Sequence, residues 1–195
     1  MNNFHKYYFM MNKIKGTVCS SVSDRRETVF KNFPAEILAP KGSAKLHTIG
    51  RLDADTEGLL ILTTDGVLSN FLTRPENRIQ KKYYVELLKK VDILDKTKYS
   101  ATVKNGIILP PEKKFGEQWC SGAEIDWMED VNETSACIVT ITEGKFHEIK
   151  RIFRALENEV TYLKRISIGN LYLDETIKPG TYRELTVEEV KLLST

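Results

Sequence analysis

The chain predicts an α+β fold, a mixed and largely antiparallel sheet flanked by helices, and three observations lead there. Strand-like and helix-like runs intermingle without a regular βαβ beat. No glycine-rich phosphate loop follows an apolar strand, which disfavours a Rossmann-type nucleotide enzyme. Residues 123–128 and 136–142 read as an antiparallel strand pair across an acidic connection. At 195 residues the chain suits one domain, 1–195, made of two subdomains sharing one sheet. Its 41% hydrophobic and 29% charged residues are ordinary for a chain that folds.

Taken in order, residues 7–11 read as a short buried strand. Residues 26–33 read as a helix entered near Ser23 or Asp24, with Val29, Phe30 and Phe33 at helical spacing. Pro34 and the Pro40-Lys41-Gly42 turn end that pattern. Residues 59–63 form an apolar strand, and Asp65-Gly66 opens a helix through Val67, Leu68, Phe71 and Leu72. Residues 82–88 alternate as a strand, with Tyr83, Val85 and Leu87 on one face. Residues 105–122, with Pro110-Pro111 and Gly116, read as turns and loop. In residues 146–156, Ile149, Ile152, Phe153 and Leu156 fall at i, i+3, i+4 and i+7 of a helix. Residues 160–168 and 171–173 suggest further strands. Thr186, with Glu189 three residues on, signals a capping box for a last helix.

Net charge is only +2, so any case for nucleic-acid binding rests on distribution. Bases dominate residues 74–90 (Arg74, Arg78, Lys81, Lys82, Lys89 and Lys90 against Glu76 and Glu86) and residues 145–165, whereas residues 124–133 hold acids and no base. A two-faced molecule is one reading and ordinary solvated charge the other. Cys19, Cys120 and Cys137 are odd in number and widely spaced, without a CxxC pair. They argue against a zinc site or disulfide framework and fit a reducing cytoplasm. The apolar run near the start is too short for a membrane span and is interrupted by Lys6 and Lys13.

Residues 50–66, GRLDADTEGLLILTTDG, crowd acids, an arginine and glycines around one apolar run. Asp53, Asp55, Glu57 and Gly58 imitate the first half of an EF-hand loop, but its twelfth position would be Thr64, which is no bidentate ligand. An aspartyl-phosphate enzyme would want its aspartates after the strand, and here the strand follows them. There remain a turn merely capped by acids and a site in which Arg51 keeps a neighbouring acid ionised beside an anionic ligand.

The stretch resembles the G-R-L-D-x-x-T-x-G-L-L signature of the ribosomal RNA pseudouridine synthases of the RsuA family. NKIKG (residues 12–16), KKYYV (81–85), EGKFHEIKRIF (143–153) and PGTYRELTVEE (179–189) are similar to further blocks of that family, in the same order. Ile14 stands where the family has proline and Glu148 where it has glutamine. Only eleven residues precede the first block, too few for the S4 RNA-binding domain that many members carry, so no S4 domain is expected within residues 1–195: either this branch lacks it or the chain is a truncated product.

The resemblance implies a catalytic fold with a cleft between its two subdomains, in which a uridine of ribosomal RNA, small-subunit RNA by its block pattern, is flipped and isomerised. It implies Asp53 as the catalytic aspartate, Lys150 as the cation that keeps it ionised, and Tyr83 as the ring against the target base. Arg51 is expected to fill the gap left by the flipped nucleotide or to hold a phosphate. Lys13, Lys15, Lys82, Arg151 and Arg154, with Arg74, Arg78, Lys81, Lys164 and Arg165, are candidates for a rim that grips phosphates. Burial of Ile149, Ile152, Phe153 and Leu156 would leave Lys150 at the edge of the apolar helix face and turn Arg151 and Arg154 outward. His47 and His147 are left out of catalysis. Neither metal nor cofactor is expected, and the expected partner is ribosomal RNA or an assembling ribosomal particle, met by a cytoplasmic monomer away from membranes. The competing reading is a catalytically silent RNA-binding or ribosome-assembly module on the same fold.

Overall fold

The computed structural model describes residues 5–23, 25–130 and 133–194. It divides into two compact units: Met1–Asn77 with Arg165–Thr195, and Arg78–Lys164. The fold is α+β with a mainly antiparallel sheet, as the sequence predicts.

The first unit is organised by two antiparallel strands, β1 (Tyr8–Lys13) and, after the short helix α1 (Ala35–Leu38) and the two-residue β2 (His47–Thr48), β3 (Glu57–Thr63). Leu59, Leu60, Ile61 and Leu62 are all fully buried, so β3 is covered on both faces, which its unbroken apolar run already signals. Asp65 then caps α2 (Gly66–Thr73), its carboxylate accepting from the amides of Val67 and Leu68. The Lys6 ammonium and Tyr8 hydroxyl also donate to Asp65. Burial works against these bonds, yet they hold the carboxyl below its usual value.

The expected helix over residues 26–33 is absent. Val18 and Thr28 form an isolated bridge there, followed by turns. Val29, Phe30 and Phe33 are nonetheless buried, and Phe33 stacks on Tyr182 at 3.8 Å between ring centroids and meets Phe9 edge-on. The spacing thus records three anchor points that a turn also satisfies. Of the two expected entry residues, Ser23 accepts from the amide of Arg26, and Asp24 lies outside the described residues.

The second unit opens with β4 (Lys81–Leu87), whose Tyr83, Val85 and Leu87 are buried as the alternation predicts. Helix α3 (Ile93–Lys104), capped by Asp92, has no counterpart in the sequence reading. Residues 105–122, expected as loop, contain a hairpin of β5 (Ile107–Leu109) and β6 (Gln118–Cys120). The expected pair follows as β7 (Glu124–Trp127) and β8 (Ala136–Ile141), antiparallel to each other, with β8 also antiparallel to β4. Helix α4 (Glu148–Ala155) buries Ile149, Ile152 and Phe153.

Strand β9 (Val160–Ile168) leaves the second unit and enters the first, where β10 (Leu171–Tyr172) pairs back on it. Strand β11 (Tyr182–Glu184) lies antiparallel on β1, and α5 (Val187–Leu192) closes the chain with the expected capping box of Thr186 and Glu189.

Candidate active site

The loop between β2 and β3 holds Asp53, and its two bounding glycines explain its shape. Gly50 and Gly58 have φ of +66° and +96°, a region that side chains disfavour. Inside the loop the Thr56 amide donates to the Asp53 carbonyl at 3.1 Å, and the Gly16 amide donates to the Ala54 carbonyl at 2.6 Å. Leu52 is buried and its amide donates to the Cys19 sulfur at 3.4 Å. Asp53 is half-buried, while Arg51 and Asp55 are exposed.

Beneath this loop lies Lys13, and here the structure corrects the sequence. Lys13 is expected among the phosphate-gripping residues, but it is 1% exposed. Its ammonium donates to the carbonyls of Asp53 at 3.0 Å, Thr56 at 2.8 Å and Ile14 at 3.2 Å. Three donors meeting three carbonyls leave nothing for RNA. Burial pushes its pKa below the ordinary lysine value, while Cys19, Asp53, Asp55 and Glu57 pull it back up. Lys13 is thus a buried cation that fixes the backbone on both sides of the Asp53 turn. The register of β1 on β3, which sets Lys13 opposite Gly58, brings it there. Arg165 is corrected likewise: it is 2% exposed, and its Nε donates to the Leu59 carbonyl at 2.8 Å.

In the second unit, Tyr83 is carried by β4 and is 8% exposed, with Lys82 half-buried beside it. Lys150 is half-buried on α4, next to buried Ile149, as the helical pattern implies. Arg154 is exposed and donates to Glu112 at 3.1 Å. Arg151, expected to turn outward, is fully buried and donates to the carbonyls of Pro110, Gly116, Leu109 and Phe146 and to the Gln118 side chain. It therefore ties α4 to the β5–β6 hairpin and is not an RNA contact.

The start of α4 is held by a cluster around Glu148, the residue that stands where the family has glutamine. His147 adopts φ +48°, and Glu148 is buried, accepting from the Lys145 amide at 2.7 Å and from the Cys120 thiol at 3.4 Å. Burial raises the Glu148 pKa, and it pushes the Cys120 thiol up to about 12. Cys120, Glu143 and Glu148 present ligand atoms within 4.8 Å of one another. Their protons and lone pairs are already shared with each other and with Lys145, which pairs with Glu143, so the cluster gives no reason to assign a metal. Lys15, Arg51, Lys82 and Arg154 keep a side chain at or near the surface.

The chain belongs to the RNA pseudouridylate synthase family, which matches residues 7–155. It is an RNA pseudouridine synthase, an isomerase. A ribosomal small subunit pseudouridine synthase A of Haemophilus influenzae is 38% identical over 186 residues, covering 95% of this chain and 73% of that protein. An uncharacterized RNA pseudouridine synthase of Bacillus subtilis is 38% identical over 191 residues, covering 96% and 73%. A crystal structure of a pseudouridylate synthase superposes with a TM-score of 0.80 at 37% identity, covering 97% of this chain and 74% of that one. An H/ACA ribonucleoprotein structure with bound substrate RNA, at 18% identity and a TM-score of 0.61, shares the fold alone; it covers 89% of this chain and 50% of that one.

Proposed function

We propose that the chain converts a uridine of small-subunit ribosomal RNA to pseudouridine, with Asp53 as the catalytic carboxylate. The observation that carries this is the family match over residues 7–155, which spans the Asp53 loop, together with a relative named ribosomal small subunit pseudouridine synthase A at 38% identity. In the reaction the bond from ribose carbon to uracil nitrogen breaks, the base turns, and a ring carbon rejoins the same ribose carbon, giving up its own proton while the freed nitrogen takes one up. The product has the composition of the substrate, so no oxidant, phosphate donor or cofactor is consumed.

A carboxylate serves this reaction either by attacking the sugar carbon or by taking a proton from the sugar as the base departs. Both need Asp53 ionised and held still. The Lys13 bonds to the loop carbonyls support the second requirement. In this reading Lys150 supplies the cation for the first, and the Tyr83 ring replaces the stacking a flipped uracil has lost. Arg51, Lys15, Lys82 and Arg154 contact the RNA backbone. The enzyme acts as a cytoplasmic monomer on ribosomal RNA or an assembling particle, and among the described residues no helix is long and apolar enough to cross a membrane. Retention of Asp53, Tyr83 and Lys150 together disfavours a catalytically silent module.

Pseudouridine mapping of ribosomal RNA from a strain lacking the gene, complemented with wild type or Asp53→Asn, tests the proposal. One small-subunit site is expected to vanish in the deletion strain and to return with wild type only. Persistence of every site refutes the ribosomal assignment, and restoration by Asp53→Asn refutes the role of Asp53.

A further inference from the structure

The β5–β6 hairpin has no part in the chemistry above, and its two faces differ. Leu109 and Cys120 are fully buried on one face. On the other, Ile108 and Trp119 sit directly opposite each other in the register and are 55% and 59% exposed. The indole is exposed yet held. It lies over Gly106, where φ is +95°, and a Cβ at that position would come within 2.3 Å of ring carbon Cζ2 and 2.8 Å of Cη2. A large aromatic surface already fixed against backbone loses little freedom when something stacks on it.

The connection between the two strands adds charge. The amides and carbonyls of Glu112 and Phe115 bond each other at 2.8 and 2.9 Å. This tight turn forces Lys113 to φ +52° and sets Lys113 and Lys114, both exposed, at its apex. Glu112 is occupied by His147 at 2.7 Å and Arg154 at 3.1 Å. Within the connection Lys113 and Lys114 match Glu112 and Glu117 in number, but Glu112 is already engaged by His147 and by Arg154 of α4, so the two apical lysines face solvent with Glu112 turned away to its own partners.

We propose that the outer face and tip of this hairpin are a second RNA-contacting surface, at which Trp119 stacks an unpaired base of the substrate and Lys113 and Lys114 hold flanking phosphates. The inference rests on the reading of the chain as an RNA-modifying enzyme and concerns residues outside its reaction. The exposed apolar area, one tryptophan and one isoleucine, is small for a protein interface but suits a single base. The base is unpaired because only then is its ring face offered to a side chain. The lysines at the apex complement the charge of the backbone on either side of it.

Tryptophan fluorescence tests this directly, because the chain has two tryptophans and they differ in setting. The Trp127 Nε1 donates inside the second unit, to the Lys96 carbonyl and the Ser100 hydroxyl, both at 3.0 Å. The purified chain is titrated with a small-subunit ribosomal RNA transcript and with a single-stranded oligouridylate. Wild type and Trp127→Phe are expected to be quenched, and Trp119→Phe is not. Trp119→Ala raises Kd by about tenfold. Lys113→Ser with Lys114→Ser lowers the slope of log affinity against log salt by about 1.4. A wild-type chain that binds and modifies RNA with Trp119 emission unchanged, or a Trp119→Ala variant that binds as tightly as wild type, overturns this inference and leaves the enzymatic reading standing. A wild-type chain that neither binds nor modifies ribosomal RNA, offered as the transcript or as an assembling small-subunit particle, overturns both.

Discussion

Replacing Lys13 by methionine tests what the buried lysine does for the Asp53 loop. The substitution keeps length and removes the ammonium, so the three carbonyls lose their bonds from Nζ. The Asp53 carbonyl retains the Thr56 amide at 3.1 Å, and the Ile14 carbonyl retains the Thr17 hydroxyl at 2.9 Å. The Thr56 carbonyl loses the one donor found for it among the described residues. One buried carbonyl left without a partner costs about 1–3 kcal/mol, and release of a desolvated cation offsets part of it, so a net loss of about 1 kcal/mol is expected. With Asp53 in its proposed role the catalytic consequence is larger, because the lost bonds fix both ends of the Asp53 turn. A shift of about 1 Å in a reacting group lowers a rate by about 100-fold. Urea unfolding measures the first quantity and single-turnover pseudouridine formation the second. If Lys13→Met unfolds within about 0.5 kcal/mol of wild type and turns over at the wild-type rate, Lys13 does not fix the loop.

Three further outcomes follow from the same structure. Arg151→Leu should lower the thermal midpoint markedly, because it leaves the hairpin carbonyls without their donor, while the salt dependence of RNA binding in the folded variant stays that of wild type; a reduced slope would return Arg151 to the RNA interface. Glu148→Gln should stabilise the chain at neutral pH. Burial raises the folded-state pKa of Glu148, so the folded chain binds more protons than the unfolded one above the ordinary glutamate value, and wild-type stability falls as pH rises through that window. The variant lacks this slope, so the two chains should converge toward acid pH in denaturant titrations; parallel profiles would show that Glu148 does not titrate this way. Thr186→Ala should cost about 1 kcal/mol by removing one half of the α5 capping box, and a neutral result would mean that α5 contributes nothing to the unfolding transition.

The capping box, the alternation of β4 and the β7–β8 pair were legible because each is a local pattern with one satisfactory geometry. Residues 26–33 misled because three apolar residues at helical spacing also fit a turn whose side chains reach one aromatic cluster. Helix α3 left the opposite trace: Ile93 and Leu94 are exposed, and Val103 is its one buried residue, so no apolar stripe marks it. The Asp53 loop was legible from its signature, with glycines at the two positions where φ turns positive. The roles of Lys13 and Arg151 were not. A long cation reads as surface until carbonyls from separate segments converge on it, and that convergence is a property of strand register and hairpin docking. For Lys13 the available clue was its place in the NKIKG block at the end of β1, a strand that pairs with the strand leaving the loop.

The most direct test of the central claim compares purified wild type and Asp53→Asn on a small-subunit ribosomal RNA transcript, counting pseudouridines formed per RNA. Wild type is expected to convert one defined uridine, and Asp53→Asn to bind the RNA but form no pseudouridine. Pseudouridine formation by Asp53→Asn at the wild-type rate would contradict it.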